Sequence, residues 1–127
     1  MEYKDVQDYI QLQDRFQARC EEVCELLTPL NDSYKCLDTF EIYDNEVFGE
    51  GDEYYGYGGH EHCSQRFPSH FLWEDDEKIK QYVEDEINKR KEAEEAERLR
   101  IQKVQEEFQE KRDMEEYERL KKKFEGV

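Results

Sequence analysis

Apolar side chains recur every three or four positions over residues 3–27, which predicts an amphipathic N-terminal helix with one apolar face. Pro29 ends this helix, because proline offers no N–H and disfavours helical geometry in the residue before it. Acidic residues fall largely outside the apolar stripe. The residues of the stripe are Val6, Ile10, Phe16, Cys20, Val23, Cys24 and Leu27.

From residue 37 the hydrophobic period changes to two, which is the pattern of a strand. Phe40 and Ile42 alternate with polar positions, and residues 44–45 predict a two-residue hairpin turn because Asp and Asn tolerate positive φ. That turn would pair Ile42 with Val47 and Phe40 with Gly49 on one face of the sheet.

Two further features complete the predicted sheet. Gly49 and Gly51 lie inside the second strand, so we expect a bend or a bulge there. After a glycine- and tyrosine-rich loop, a third strand is expected at about residues 61–67, with Cys63 and Phe67 on one face. The first helix would cover the apolar face of this three-stranded meander.

The second half of the chain predicts one long helix. Acidic residues open it at positions 74–77, and no Gly or Pro occurs from there to residue 125, so about 50 residues would form a rod of about 75 Å. Its apolar residues form three separate clusters. A strict heptad fails, because the seam through Val83, Ile87, Ile101, Val104 and Phe108 also contains charged residues. The first cluster, Ile79, Tyr82, Val83 and Ile87, is expected to dock on the sheet or on the first helix. The other two are Leu99, Ile101, Val104 and Phe108, then Met114, Tyr117, Leu120 and Phe124.

The fold class predicted from these patterns is α+β: an N-terminal amphipathic helix, a three-stranded antiparallel sheet and a long charged C-terminal helix. We expect two parts, an acidic helix-plus-sheet module at residues 1–73 and a long charged helix at residues 74–127. The apolar clusters make the long helix a candidate for homo-oligomerisation, and a solvated helix is the alternative.

Charge narrows the classes of partner. The formal net charge is −16 and 43% of residues are charged, and residues 1–73 contain sixteen acids but only five bases. Such a chain repels nucleic acid and anionic membranes and favours basic protein surfaces, so we expect no direct nucleic-acid or membrane binding. The N-terminus lacks a secretory signal and no apolar run is long enough to span a membrane, which predicts a cytoplasmic protein with free thiols.

No catalytic motif is evident, so we expect a protein that is not an enzyme and that has no cofactor or metal. Histidines and cysteines invite a zinc interpretation around Cys63, but the chain has no CxxC knuckle. Residues 44–55 resemble a calcium loop only in part, because Phe48 and Tyr55 stand where ligands are needed. A metal-dependent enzyme or metal sensor that uses Cys63, His60 and His62 remains an alternative.

The clearest functional signal is acid density, because residues 38–53 contain seven acids and no base. Carboxylates two positions apart on a strand lie about 6.6 Å apart, close to the spacing of successive phosphates in a nucleic-acid strand. Such a surface can occupy the nucleic-acid groove of another protein, and neighbouring tyrosines would add contact area. The candidate partner-binding residues are Asp44, Glu46, Glu50, Asp52, Glu53, Tyr54, Tyr55 and Tyr57.

Three features of the sequence resemble those of a known group of proteins. They are an aromatic-Gly-Gly segment at residues 57–61 (YGGHE), a Phe-Pro segment at residues 67–72 (FPSHFL) and the charged C-terminal helix. From residue 53 onward the chain resembles small acidic proteins encoded by tailed bacteriophages. That resemblance implies a bacterial cytoplasm during infection and assigns no site residues.

Two hypotheses of function follow from the charge pattern and the resemblance. The first is a phage-type inhibitor that binds and blocks a host or anti-phage defence enzyme through an acidic surface that mimics nucleic acid. The alternative is a structural or assembly protein that acts through its long C-terminal helix.

Overall fold

The structure, a computed structural model, describes residues 1–125 and confirms the α+β class with its three parts. Helix α1 is followed by a three-stranded sheet and by helix α2, and short 3₁₀ helices at residues 32–36 and 69–72 flank the sheet. The chain forms two compact units, Met1–Ile87 and a unit that begins at Asn88. The bounds are α1 Tyr3–Leu27, β1 Thr39–Tyr43, β2 Glu46–Tyr54, β3 His60–Pro68 and α2 Asp76–Glu125.

Helix α1 covers the sheet only through its C-terminal half. Its residues Cys20, Val23, Cys24 and Leu27 are buried, whereas Val6 and Ile10 are exposed. The prediction of one covered apolar face is therefore wrong for the first half of the helix. A helix of 25 residues is about 37 Å long, and a nine-residue strand spans about 30 Å, so the helix is longer than the sheet.

The sheet is an antiparallel meander in the order β1-β2-β3. The predicted pairs Ile42–Val47 and Phe40–Gly49 are confirmed. Asp44 adopts a φ of 50° in the turn between β1 and β2, which is the left-handed conformation that Asp tolerates. The register between β2 and β3 runs without interruption from Glu46 to Tyr54, so the predicted bulge is wrong.

Gly51 has a different role from the one predicted. The inner face of β2 packs against the end of the 3₁₀ helix at residues 32–36, and a Cβ at Gly51 would lie only 1.7 Å from the carbonyl oxygen of Cys36. Glycine is needed here because two backbone segments approach each other without room for a side chain. The glycine therefore fixes where residues 36–37 cross the sheet.

One hydrophobic core joins the elements of the first unit. Val47, Cys63 and Phe67 contribute the inner face of the sheet, and Ile79 and Val83 contribute the beginning of α2, as the first apolar cluster predicted. The remaining buried apolar residues come from α1 and from the connecting segments. They are Cys20, Val23, Cys24, Leu27, Tyr34, Leu37 and Phe71.

From Asn88 onward, α2 has a charged surface with exposed apolar residues. Ion pairs three residues apart stabilise it locally, with N–O distances of 2.6 Å for Arg98–Glu95 and for Arg100–Glu97. None of the helices within residues 1–125 has the uninterrupted apolar length that a membrane span requires. The exposed apolar side chains are Leu99, Ile101, Val104, Phe108, Met114, Tyr117, Leu120 and Phe124.

Candidate protein-binding surface

The face of the sheet that lies opposite the core, called the outer face below, is the candidate functional surface. Side chains alternate across a strand, and Val47, Gly49 and Gly51 are buried, so the residues between them point outward. The outer face contains Glu46, Phe48, Glu50, Asp52 and Tyr54 of β2, Glu41 and Tyr43 of β1, and His60, His62, Ser64 and Arg66 of β3.

Acidic side chains dominate the outer face. The register brings the predicted residues Glu46, Glu50 and Asp52 onto it in one row along β2. Arg66 lies 3.7 Å from Glu46 and offsets part of the charge, and the His62 imidazole lies 3.4 Å from the Asp52 carboxylate. Both are exposed pairs of small energetic value, so the face keeps a negative potential.

Between these acids lie aromatic side chains that were not among the predicted partner-binding residues. Tyr43 is exposed and Phe48 is half-buried. Both line a shallow depression of about 380 Å³ on the outer face, whose other lining residues are Glu41, Glu46, Glu50 and Arg66. The Tyr43 hydroxyl donates a hydrogen bond to the Glu41 carboxylate, which raises the pKa of Tyr43. Strand alternation from Phe40 and Ile42 already indicated that positions 41 and 43 point outward.

Several of the predicted partner-binding residues do not belong to this row. Asp44 is in the hairpin turn, and Glu53 is on the inner face of β2. The Tyr55 hydroxyl donates a hydrogen bond to Glu61 at 2.6 Å and lies 3.4 Å from the carboxylate of Glu53. The bond to Glu61 is the main reason that the pKa of Tyr55 is raised to about 12.

The other two predicted tyrosines are freely accessible. Tyr54 extends the outer face at the end of β2, with its ring 6.0 Å from that of His60. Tyr57 is fully exposed and has a φ of 71° between Gly56 and Gly58. A left-handed conformation is costly for an aromatic residue and typical of functional positions, so Tyr57 is the stronger candidate for an anchor.

The structure also locates the groups that were considered for zinc. His60 and His62 lie on the outer face, whereas Cys63 points into the core, so these three do not converge. Cys20 and Cys24 lie in the core, where burial raises the pKa of each thiol to about 12.

Cys63 instead lies beside Cys36 and Glu53. The sulfur atoms of the two cysteines and a carboxylate oxygen of Glu53 all lie within 4.8 Å of one another. The pKa of Cys36 is raised, mainly because the thiol is desolvated by burial and secondly because it shares a hydrogen bond with Cys63. Nothing in the sequence pattern indicated that Cys36 belongs with Cys63, because a contact across 27 positions depends on the tertiary fold.

The side chains on the outer face and around it are the basis for an inference about function. The acidic row on β2, the aromatic residues beside it and the exposed Tyr57 are the features that a partner would meet. Together they make the outer face negatively charged and give it exposed aromatic area. Comparisons of the chain with protein-family models, with curated proteins and with solved structures found no match.

Proposed function

We propose that the chain is a non-enzymatic binding protein whose outer face contacts a basic surface of a partner protein. The observation that carries this proposal is the exposed row of Glu46, Glu50 and Asp52, with Glu41 beside it and aromatic rings between the acids. Acids attract the partner and orient it, whereas tyrosine and phenylalanine provide contact area that excludes water.

Nucleic-acid mimicry is the form of recognition that this spacing favours. Glu50 and Asp52 are two positions apart on β2, so their carboxylates repeat at about 6.6 Å on one face. A groove that binds nucleic acid has basic side chains arranged for a similar repeat of negative charge. In the bacterial setting that the phage resemblance implies, occupying such a groove would block a host or defence enzyme.

Reversing three charges on the outer face should weaken binding to the partner by about 10- to 100-fold. The variant is Glu41→Lys, Glu50→Lys and Asp52→Lys, and the expected loss arises because attraction to a basic surface becomes repulsion. The partner is first captured from nuclease-treated bacterial lysate and identified by mass spectrometry. Its affinity is then measured with purified proteins at low and at raised salt, which should weaken the wild-type complex as well.

The matched control is Glu107→Lys, Glu110→Lys and Glu115→Lys in α2, which changes the net charge equally but leaves the outer face intact. This control should keep most of the affinity, and an oligonucleotide duplex should compete with the chain for the partner. Equal affinity of both triple variants, together with salt-resistant binding, would contradict the proposal.

Replacing Tyr57 by asparagine should separate binding from stability. Asparagine tolerates the left-handed conformation better than tyrosine does, so the free energy of unfolding should stay the same or rise by up to about 1 kcal/mol. The affinity for the captured partner should fall about 10-fold if the exposed ring is an anchor. Chemical denaturation and the same binding assay measure the two quantities, and unchanged affinity would remove Tyr57 from the interface.

A second candidate function is assembly through α2, because the eight apolar side chains from Leu99 to Phe124 are exposed. Exposed apolar clusters on a helix favour self-association or contact with another helix. The capture experiment distinguishes the two functions. Recovery of the chain alone, with no second protein, favours assembly.

A further inference from the structure

We propose that Cys36, Glu53 and Cys63 form a binding site for a thiophilic divalent cation, for which Zn²⁺ is the best chemical match. The two sulfur atoms and a carboxylate oxygen lie within 4.8 Å of one another, so one ion can contact all three donors. Zn²⁺ binds thiolates and carboxylates in four-coordinate sites, and three protein ligands leave one position for water or a partner's side chain. This site is on the inner face of the sheet and does not depend on the proposed function.

The fold fixes two of the donors through backbone contacts. Cys63 on β3 is directly opposite Gly51 on β2, and Cys36 contacts the same Gly51 through its carbonyl group. Because Gly51 has no side chain, residue 36 can approach the sheet closely enough to bring its sulfur near that of Cys63. The two thiols are thus held by a strand pair and a backbone crossing, and not by flexible loops.

Glu53 adds the third donor and distinguishes this site from a simple pair of thiols. It is two positions after Gly51 on the same face of β2, diagonally adjacent to Cys63. A carboxylate beside two thiols disfavours their ionisation unless a cation compensates the charge. A disulfide between Cys36 and Cys63 would have no need of this carboxylate.

The hydroxyl of Tyr55 lies 3.4 Å from the Glu53 carboxylate but donates its hydrogen bond to Glu61 at 2.6 Å. The single proton of Tyr55 is therefore directed to Glu61 and does not compete with an ion for Glu53. Glu53 is itself exposed, whereas Cys63 is buried, so an ion can enter from the solvent side and meet sulfur on the core side.

The test is a titration of the full chain with Co²⁺ under a phosphine reductant, followed by displacement with Zn²⁺. We expect an absorption band from thiolate-to-cobalt charge transfer that saturates at one ion per chain and disappears when Zn²⁺ is added. Cys36→Ser and Cys63→Ser should each lower the affinity by about 100-fold, and Glu53→Gln by about 10-fold. Zn²⁺ should also raise the unfolding midpoint of the wild-type chain but not that of Cys36→Ser.

Two variants serve as matched controls. Cys24→Ala removes a thiol from the core, and Glu50→Gln removes a carboxylate from the outer face of the same strand, so both should bind Co²⁺ normally. Glu53→Gln keeps the experiment decisive if a cysteine variant fails to fold, because Glu53 is exposed. Absence of the band in the reduced chain, or a band unchanged in Cys36→Ser and Glu53→Gln, would overturn the proposal. Air oxidation to a Cys36–Cys63 disulfide in a chain that binds no Co²⁺ would also overturn it.

Discussion

Replacing Gly51 by alanine is expected to lower the free energy of unfolding by about 4 kcal/mol or more. The new Cβ would lie 1.7 Å from the carbonyl oxygen of Cys36, 2.7 Å from its carbonyl carbon and 3.0 Å from the Cα of Leu37. All three are backbone atoms, so no side-chain rotation relieves the overlap. The crossing segment must move away from the sheet, which opens the core around Leu37.

The measurement is the denaturant midpoint. Unfolding is monitored by circular dichroism and by the fluorescence of Trp73, the only tryptophan of the chain. Gly56→Ala is the matched control because a Cβ there meets no atom within 4 Å. The control should change the free energy of unfolding by no more than about 0.5 kcal/mol. Equal midpoints for the two variants would show that the backbone crossing at Gly51 is looser than described. Loss of folding in Gly51→Ala alone agrees with the prediction.

The parts of the fold that local chemistry determines could be predicted from the sequence. Turn residues at positions 44–45 set the hairpin register, and Pro29 limits α1, because each acts through its own backbone. Alternation of apolar and polar residues gave the faces of the strands, including the burial of Cys63 and Phe67. Ile79 and Val83 were recognised as core residues because they share one side of a helical turn.

The features that escaped prediction depend on contacts between distant segments. Glycine inside a strand can indicate either a bulge or a close approach of another backbone segment, because both favour a residue without a side chain. The sequence therefore predicted a bend or bulge at Gly51, where the structure has a close backbone approach. Cys36, Glu53 and Cys63 come together from three segments, and no spacing rule covers such a set. The period of α1 indicated an apolar face but not where the covering sheet ends, so the exposure of Val6 and Ile10 was missed.

Replacing Arg19 by alanine should lower the free energy of unfolding by about 3 kcal/mol. Arg19 lies on α1, and its guanidinium makes five hydrogen bonds, the full donor capacity of arginine. It donates to the backbone carbonyl groups of Leu72, Phe71 and Glu74 at 3.0, 3.1 and 2.8 Å. It also donates to the carboxylates of Asp76 at 2.7 Å and Glu22 at 3.0 Å.

These bonds connect α1 to the segment that leads into α2, which is why one side chain has a large effect. Phe71 and Leu72 end the 3₁₀ helix and Glu74 precedes α2, so without the guanidinium these carbonyl groups must find water or stay unsatisfied. The alkyl part of Arg19 is largely covered, with a side-chain exposure of 20%, so packing is lost as well.

The variant Arg19→Lys tests whether the positive charge or the hydrogen-bond geometry of Arg19 stabilises the fold. Arg19→Lys keeps the positive charge near Asp76 but cannot reach three carbonyl groups with one ammonium, so we expect a loss of about 2 kcal/mol. Arg15→Ala, one turn earlier on the exposed part of α1, is the matched control and should change the free energy of unfolding by less than about 0.5 kcal/mol. Denaturation monitored by Trp73 fluorescence reports directly on this region, because Trp73 follows Leu72. Wild-type stability in Arg19→Lys would mean that charge alone holds the two elements together, and that the carbonyl contacts contribute little.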